Sequence, residues 1–245
     1  MSDQSIRGIK ESIDYICNCE FYEEIPSNDR NFHIGQFLKG HIKYPLTTSP
    51  KVLELEHYDP ENELGSIFKI ADYDPSSATQ QKWPIKQLNL RSTDRLYIVP
   101  GKIRTVILLR IIENVWMEDE IINLALCLPI SSFKSYHPTS FILNIELFNY
   151  PQYFYIKASG KGAREESAAR FDLIQYVPLD YLEPVRNENS NSNFMLSPFT
   201  LKLMFNHLSK FLFNEPYDEI LEQEIAAFRD IMLAEESIQS LLAEE

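Results

Sequence analysis

Three side chains in the middle of this sequence have the types and the spacing to act together: Arg104, Ser131 and Ser132. Arg104 stands just before one apolar run, Val106 to Ile112, and the serines stand just after another, Ile121 to Leu128. Both runs are too short for most helices and rich in β-branched residues, which predicts two buried strands. Pairing through the MEDE connection at 117–120 would bring a guanidinium and a hydroxyl to the same sheet edge. Lys82 to Arg110 holds seven cations (Lys82, Lys86, Arg91, Arg95, Lys102, Arg104 and Arg110) against one acid, Asp94. Two readings stand: a solvated loop whose cations offset acidic neighbours, or a phosphate-attracting patch.

The surrounding charge is uneven. Residues 1–81 carry 7 Lys/Arg against 14 Asp/Glu, residues 82–190 carry 13 against 12, and residues 191–245 carry 3 against 10. A nearly neutral middle lies between two acidic ends in a chain of net charge −13. A length of 245 residues with 44% hydrophobic content supports a real core. Three cysteines, two of them as Cys17-x-Cys19, make no even disulfide framework. Neither a Cys-x-x-Cys pair nor a His pair at ligand spacing occurs, so we expect no metal and no cofactor, with His33 and His41 at the solvent edge. No apolar run reaches membrane-spanning length and the start lacks a signal peptide's apolar core. The expectation is a reduced, cytoplasmic protein with no membrane association.

Several elements would position the central pair. Ile6, Ile9, Ile13 and Ile16 lie on one face of a short helix. Ser27-Asn28-Asp29 caps a second helical pattern through Phe37, Leu38 and Ile42. Strands are expected at Lys51 to Glu56, Gly65 to Pro75, Phe141 to Phe148, Tyr153 to Lys157 and Ala169 to Val177, with a long polar excursion from Ser76 to Asp94. Ser159 to Ala163, with two glycines, reads as a flexible tip. Ser197-Pro198 starts a helix carrying Met204, Phe205, Leu208 and Phe211, and Pro216 starts another carrying Leu221, Ile225 and Phe228. Those seven apolar residues are candidates for binding a partner. The polar stretch NENSNSN, with Asn187, Asn189, Asn191 and Asn193, reads as an exposed, protease-sensitive linker. The fold class is α+β: a small, mostly antiparallel barrel at 49–186, an N-terminal helical arm at 1–48, the linker at 187–193 and acidic C-terminal helices at 194–245.

Four segments, in order, resemble the MazF/PemK family of toxin ribonucleases. GSIFKIADYDP at 65–75 is similar to its opening strand, and GKIRTVILL at 101–109 to its Arg-Pro-Val-x-Val-Leu strand. LALCLPISS at 124–132 is similar to its strand ending Pro-Ile-Thr-Ser, and ESAARFDLIQYVPLDYLEP at 166–184 to its late strand and short helix. The resemblance covers about half the chain and implies an SH3-like barrel that is usually dimeric. It implies catalytic roles for Arg104 and Ser131 at an RNA phosphate, with attack by the RNA's own 2′-hydroxyl. A guanidinium and a hydroxyl suit that task because both donate to phosphorane oxygens. Lys82, Lys86, Arg91, Arg95 and Lys102 would then bind RNA.

Thr105 stands where the family has proline, and Tyr97 to Pro100 replaces its glycine-rich approach. Two readings from different classes remain, the first favoured by the charge balance, the replaced proline and the helical sequence that the resemblance does not cover. The first is a regulatory protein-binding module, antitoxin-like or anti-sigma-like, whose acidic tail is releasable at the linker. Such a barrel, opened by proteolysis, occurs by analogy in the CRISPR-associated anti-sigma protein CalpT. The other is a metal-independent endoribonuclease toxin. Without a phosphate nearby, Arg104 would instead pair with a carboxylate such as Asp172.

Overall fold

The computed structural model describes residues 16, 20–26, 28–43, 51–57, 59, 61, 62, 65, 67–72, 96–117, 120–187 and 189–243. The expected helix at 6–16 lies outside them except for Ile16, which is helical and buried, and so does the excursion at 76–94. The fold is mixed α/β, with mostly antiparallel strands and few helices. The chain divides into two compact units, Met1–Ile42 with Ile103–Glu245, and Lys43–Lys102.

The smaller unit contains a three-stranded antiparallel sheet in the order β4-β3-β5, from Lys51–His57 (β3), Ile67–Asp72 (β4) and Leu96–Ile98 (β5). The first two are the strands expected around Lys51 and Gly65. The larger unit is built on β6 (Gly101–Met117) and β7 (Glu120–Ser132), the hairpin expected from the two apolar runs. Its sheet runs β11-β2-β6-β7-β9-β8, and β10 also pairs with β7. The remaining members are β2 (Phe37–Lys43), β8 (Tyr153–Ile156), β9 (Ser167–Arg170), β10 (Gln175–Pro178) and β11 (Glu183–Pro184). A separate pair joins β1 (Tyr22–Ile25) to β12 (Asn193–Leu196).

Alternation along the hairpin separates two cores, because successive side chains of a strand point to opposite faces. Val106 and Leu108 of β6 join Leu38, Ile42, Ala125, Cys127, Val177 and Leu182 in a small core. Ile107, Leu109, Leu128 and Ile130 face a larger one. A register shift between Leu108 and Arg110 resets the phase, so Ile111, not Arg110, packs against the small core. Burial on both faces explains why these strands read as continuous apolar runs.

The helices cover the large core. These are α1 (Thr139–Glu146), α2 (Pro198–Phe213), α3 (Glu219–Leu233) and α4 (Glu236–Leu242). Helix α2 starts where Ser197-Pro198 predicts: the Ser197 side chain accepts from the Thr200 N–H at 3.3 Å. Asp218 caps α3 by accepting from Ile220 and Leu221 N–H groups.

Three expected elements differ. Residues 37–43 form β2 rather than a helix, because Leu38, Gly40 and Ile42 bury at period two. Residues 139–146 form α1 rather than a strand. Their β-branched content suggests extension, but Ile142, Leu143 and Ile145 bury together in the large core from a helix. The strand expected from Ala169 to Val177 is interrupted by a 3₁₀ turn at Phe171–Leu173, which lets β9 and β10 pair with β7 in succession. A second 3₁₀ turn, Leu179–Tyr181, leads into β11.

Candidate functional site

Arg104 and Ser131 lie at the same end of the β6–β7 hairpin, and both are half-buried. The ladder between these strands reaches Val106–Pro129 at that end. Beyond it β7 continues against β9, with Ser131 opposite Ala168 and Ser132 opposite Ser167. Lys102 is exposed, whereas Lys82, Lys86, Arg91 and Arg95 lie outside the described residues. Asp172 does not serve Arg104. It takes two bonds from Arg170, Nε to Oδ1 at 3.1 Å and Nη2 to Oδ2 at 2.5 Å. Among the described residues no three His, Cys, Asp or Glu side chains converge as metal ligands. His33 Nε2 sits 2.8 Å from Asp29 Oδ2 and His41 is exposed. No helix of the described residues is long and apolar enough to cross a membrane.

Most of the seven apolar residues expected to bind a partner face the interior of their own unit, and Phe205 and Leu208 also line an open groove. Met204, Leu208, Leu221, Ile225 and Phe228 are buried in the large core, and Phe205 and Phe211 pack against it. The C-terminal helices therefore belong to the same unit as the large sheet. They are part of its interior, which corrects the expectation of a detachable partner-binding tail.

The presumed linker is a hydrogen-bonded turn. Asn187 is 4% exposed, and its Oδ1 accepts from the Asn189 and Ser190 N–H groups. Its Nδ2 and that of Asn189 both donate to the Gly160 carbonyl, at 2.9 and 3.0 Å. Asn191 adopts φ 53° and Asn193 opens β12, while Asn189 and Asn191 remain exposed. The glycine tip is held as well. A Cβ on Gly162 would lie 2.2 Å from Tyr22 Cδ2, so only glycine lets the loop close on that ring.

An open apolar surface lies along α2, at the edge of the large core. A groove of about 530 Å³ runs along it, lined by Leu201, Phe205, Leu208, Leu212, Phe213 and Tyr217, with Lys202 at its border. Leu212, Phe213 and Tyr217 are 52%, 71% and 72% exposed. The sequence carried a usable signal for it. Nine of the 16 residues of α2 are Leu, Met or Phe, more than one buried stripe needs.

Two buried groups are electrostatically perturbed. Burial among aromatic rings pulls His207 down to about 4, despite its bond to the Tyr150 carbonyl. Burial pushes the Cys127 thiol up to about 12, which makes it a poor nucleophile. No protein family, curated protein or solved structure matches the chain.

Proposed function

We propose that the protein is a regulatory protein-binding module, in which an SH3-like barrel related to the MazF/PemK toxins supports a docking surface on α2. The observation that carries this reading is the apolar groove along α2, because soluble proteins seldom leave a contiguous apolar patch exposed without a binding role. The barrel is supported by the strand order. β2, β6, β7 and β10 follow one another by pairing, and β11 returns to β2 after a 3₁₀ turn. The small core of Leu38, Val106, Cys127, Val177 and Leu182 would be the barrel interior. A partner engages the outward face of the C-terminal helices without detaching them.

The test is selection of helical peptides from a displayed library on the intact protein. Enriched sequences should fail to bind Phe213→Glu, and enrichment indifferent to that change overturns the reading.

Arg104 and Ser131 at one hairpin end favour a second reading, a metal-independent endoribonuclease. It is tested by incubating the protein with mixed single-stranded RNA in EDTA. Cleavage that disappears in Arg104→Ala would establish it; intact RNA would sink it.

A further inference from the structure

The groove is apolar with one charged lining residue, Lys202, but the segment that forms it is acidic. Between Pro198 and Glu224 the chain carries five acids (Glu215, Asp218, Glu219, Glu222 and Glu224) and two lysines. Both lysines are already paired. Lys202 Nζ lies 2.5 Å from Asp218 Oδ2, and Lys210 binds Glu222. Glu215, Glu219 and Glu224 are exposed: Glu215 falls between the lining residues Phe213 and Tyr217 in the chain, and the charge of Glu224 acts on Lys202 at the groove's border. The groove follows one face of a 16-residue helix, Pro198, Leu201, Phe205, Leu208 and Leu212 recurring at three- and four-residue steps. At 1.5 Å per residue that face is about 24 Å long.

Resting on the protein-binding reading above, we infer that the occupant of this groove is a basic amphipathic helix. Its apolar stripe would meet Leu212, Phe213 and Tyr217, and its lysines or arginines would meet Glu215, Glu219 and Glu224. A long, one-sided apolar face is the form that helix-in-groove recognition takes, with anchors spaced at i, i+3, i+4 and i+7. Charge selects among the candidates. A second copy would set the same acidic segment against itself in a chain of net charge −13, and like charges across an interface are costly. Anionic lipid and nucleic acid are repelled for the same reason.

The experiment compares three synthetic helical peptides by fluorescence anisotropy on the intact protein. They share one Leu/Phe stripe and differ only in their polar face: Lys/Arg, Gln/Ser or Glu. The basic peptide should bind at least tenfold more tightly than the neutral one and the acidic peptide most weakly. That advantage should shrink severalfold between low and high salt, and in Glu215→Gln/Glu219→Gln/Glu224→Gln. Equal binding of all three peptides would overturn the charge inference while leaving a protein-binding groove in place. Binding of none, or binding unchanged in Phe213→Glu of native circular dichroism, overturns the groove reading itself. A reversible dimer in sedimentation, lost in Phe213→Glu, would make a second copy the occupant and overturn the inference.

Discussion

Gly40 and Leu182 occupy one volume of the small core: a Cβ on Gly40 would lie 2.5 Å from Leu182 Cδ2 and 4.0 Å from Val177 Cγ1. Leu182 is 5% exposed and cannot swing aside freely. Gly40→Ala should therefore destabilise by about 1–3 kcal/mol through overpacking. Pairing it with Leu182→Ala should give a loss smaller than the sum of the two, because the truncated side chain frees the space. Urea denaturation of the four proteins measures this, and strict additivity would show that the two residues do not compete.

Phe228 and Phe213 should behave oppositely although both lie on C-terminal helices. Phe228 is 5% exposed, its ring centroid 6.3 Å from that of Phe148. Phe228→Ala is expected to cost about 3–5 kcal/mol. Phe213→Ala, at a mostly exposed side chain, should change stability by less than about 0.5 kcal/mol. Thermal unfolding of both variants checks the assignment of interior and surface.

His207 should make stability sensitive to acid. Its ring lies between Phe148 and Phe171, centroids 5.3 and 5.6 Å away, and its Nε2–H donates to the Tyr150 carbonyl at 3.3 Å. The folded protein holds the group at about 4 against an ordinary 6.5. Between those values the unfolded chain binds more protons, so stability rises with pH. The penalty is absent above about pH 6.5, grows as pH falls and is complete below about pH 4, reaching roughly 3 kcal/mol. Comparing denaturation midpoints of the wild type and His207→Gln across this window should show a shallower acid dependence in the variant.

Asn187 should govern cleavage of the turn it organises. Asn187→Ala removes the bond to the Gly160 carbonyl and the acceptor for two N–H groups, at an expected cost of about 1–3 kcal/mol. Limited proteolysis should cut the variant near Asn189–Asn191 faster than the wild type. Equal rates would mean that the turn is held by other contacts.

Cys127 reactivity should report opening of the small core. In a Cys17→Ser/Cys19→Ser background, a thiol reagent should label Cys127 no faster than the core opens, since the thiol is fully buried and held protonated.

The sequence was most informative where both periodicity and punctuation agreed. The β6–β7 hairpin, β3, β4, β8 and the start of α2 were legible because β-branched runs or a Ser-Pro cap marked them. Residues 37–43 were not, since Phe37, Leu38 and Ile42 fit a helical face as well as a strand, and pairing with β6 and β11 decides between them. Residues 139–146 went the other way: Phe141-Ile142-Leu143 looks extended until the large core claims it from a helix. The C-terminal stripe of Leu221, Ile225 and Phe228 was read correctly as apolar, but one sequence cannot say whether such a stripe faces its own chain or another. Asn187 was hidden by composition, because a run of Asn and Ser looks like a solvated linker whether or not its amides find partners.

The small core also sets a timetable for synthesis. Of its strands, β2 is made first and β11 last, with β3 to β10 emerging between them. At ribosomal speeds of 5–20 residues per second, Leu38 and Ile42 must wait on the order of ten seconds for Leu182. During that interval β2, β6 and β7 can pair, yet the core between them lacks Val177 and Leu182. Leu182 closes that side, while the opposite face of the hairpin waits for Leu203, Met204, Leu221 and Ile225 of α2 and α3.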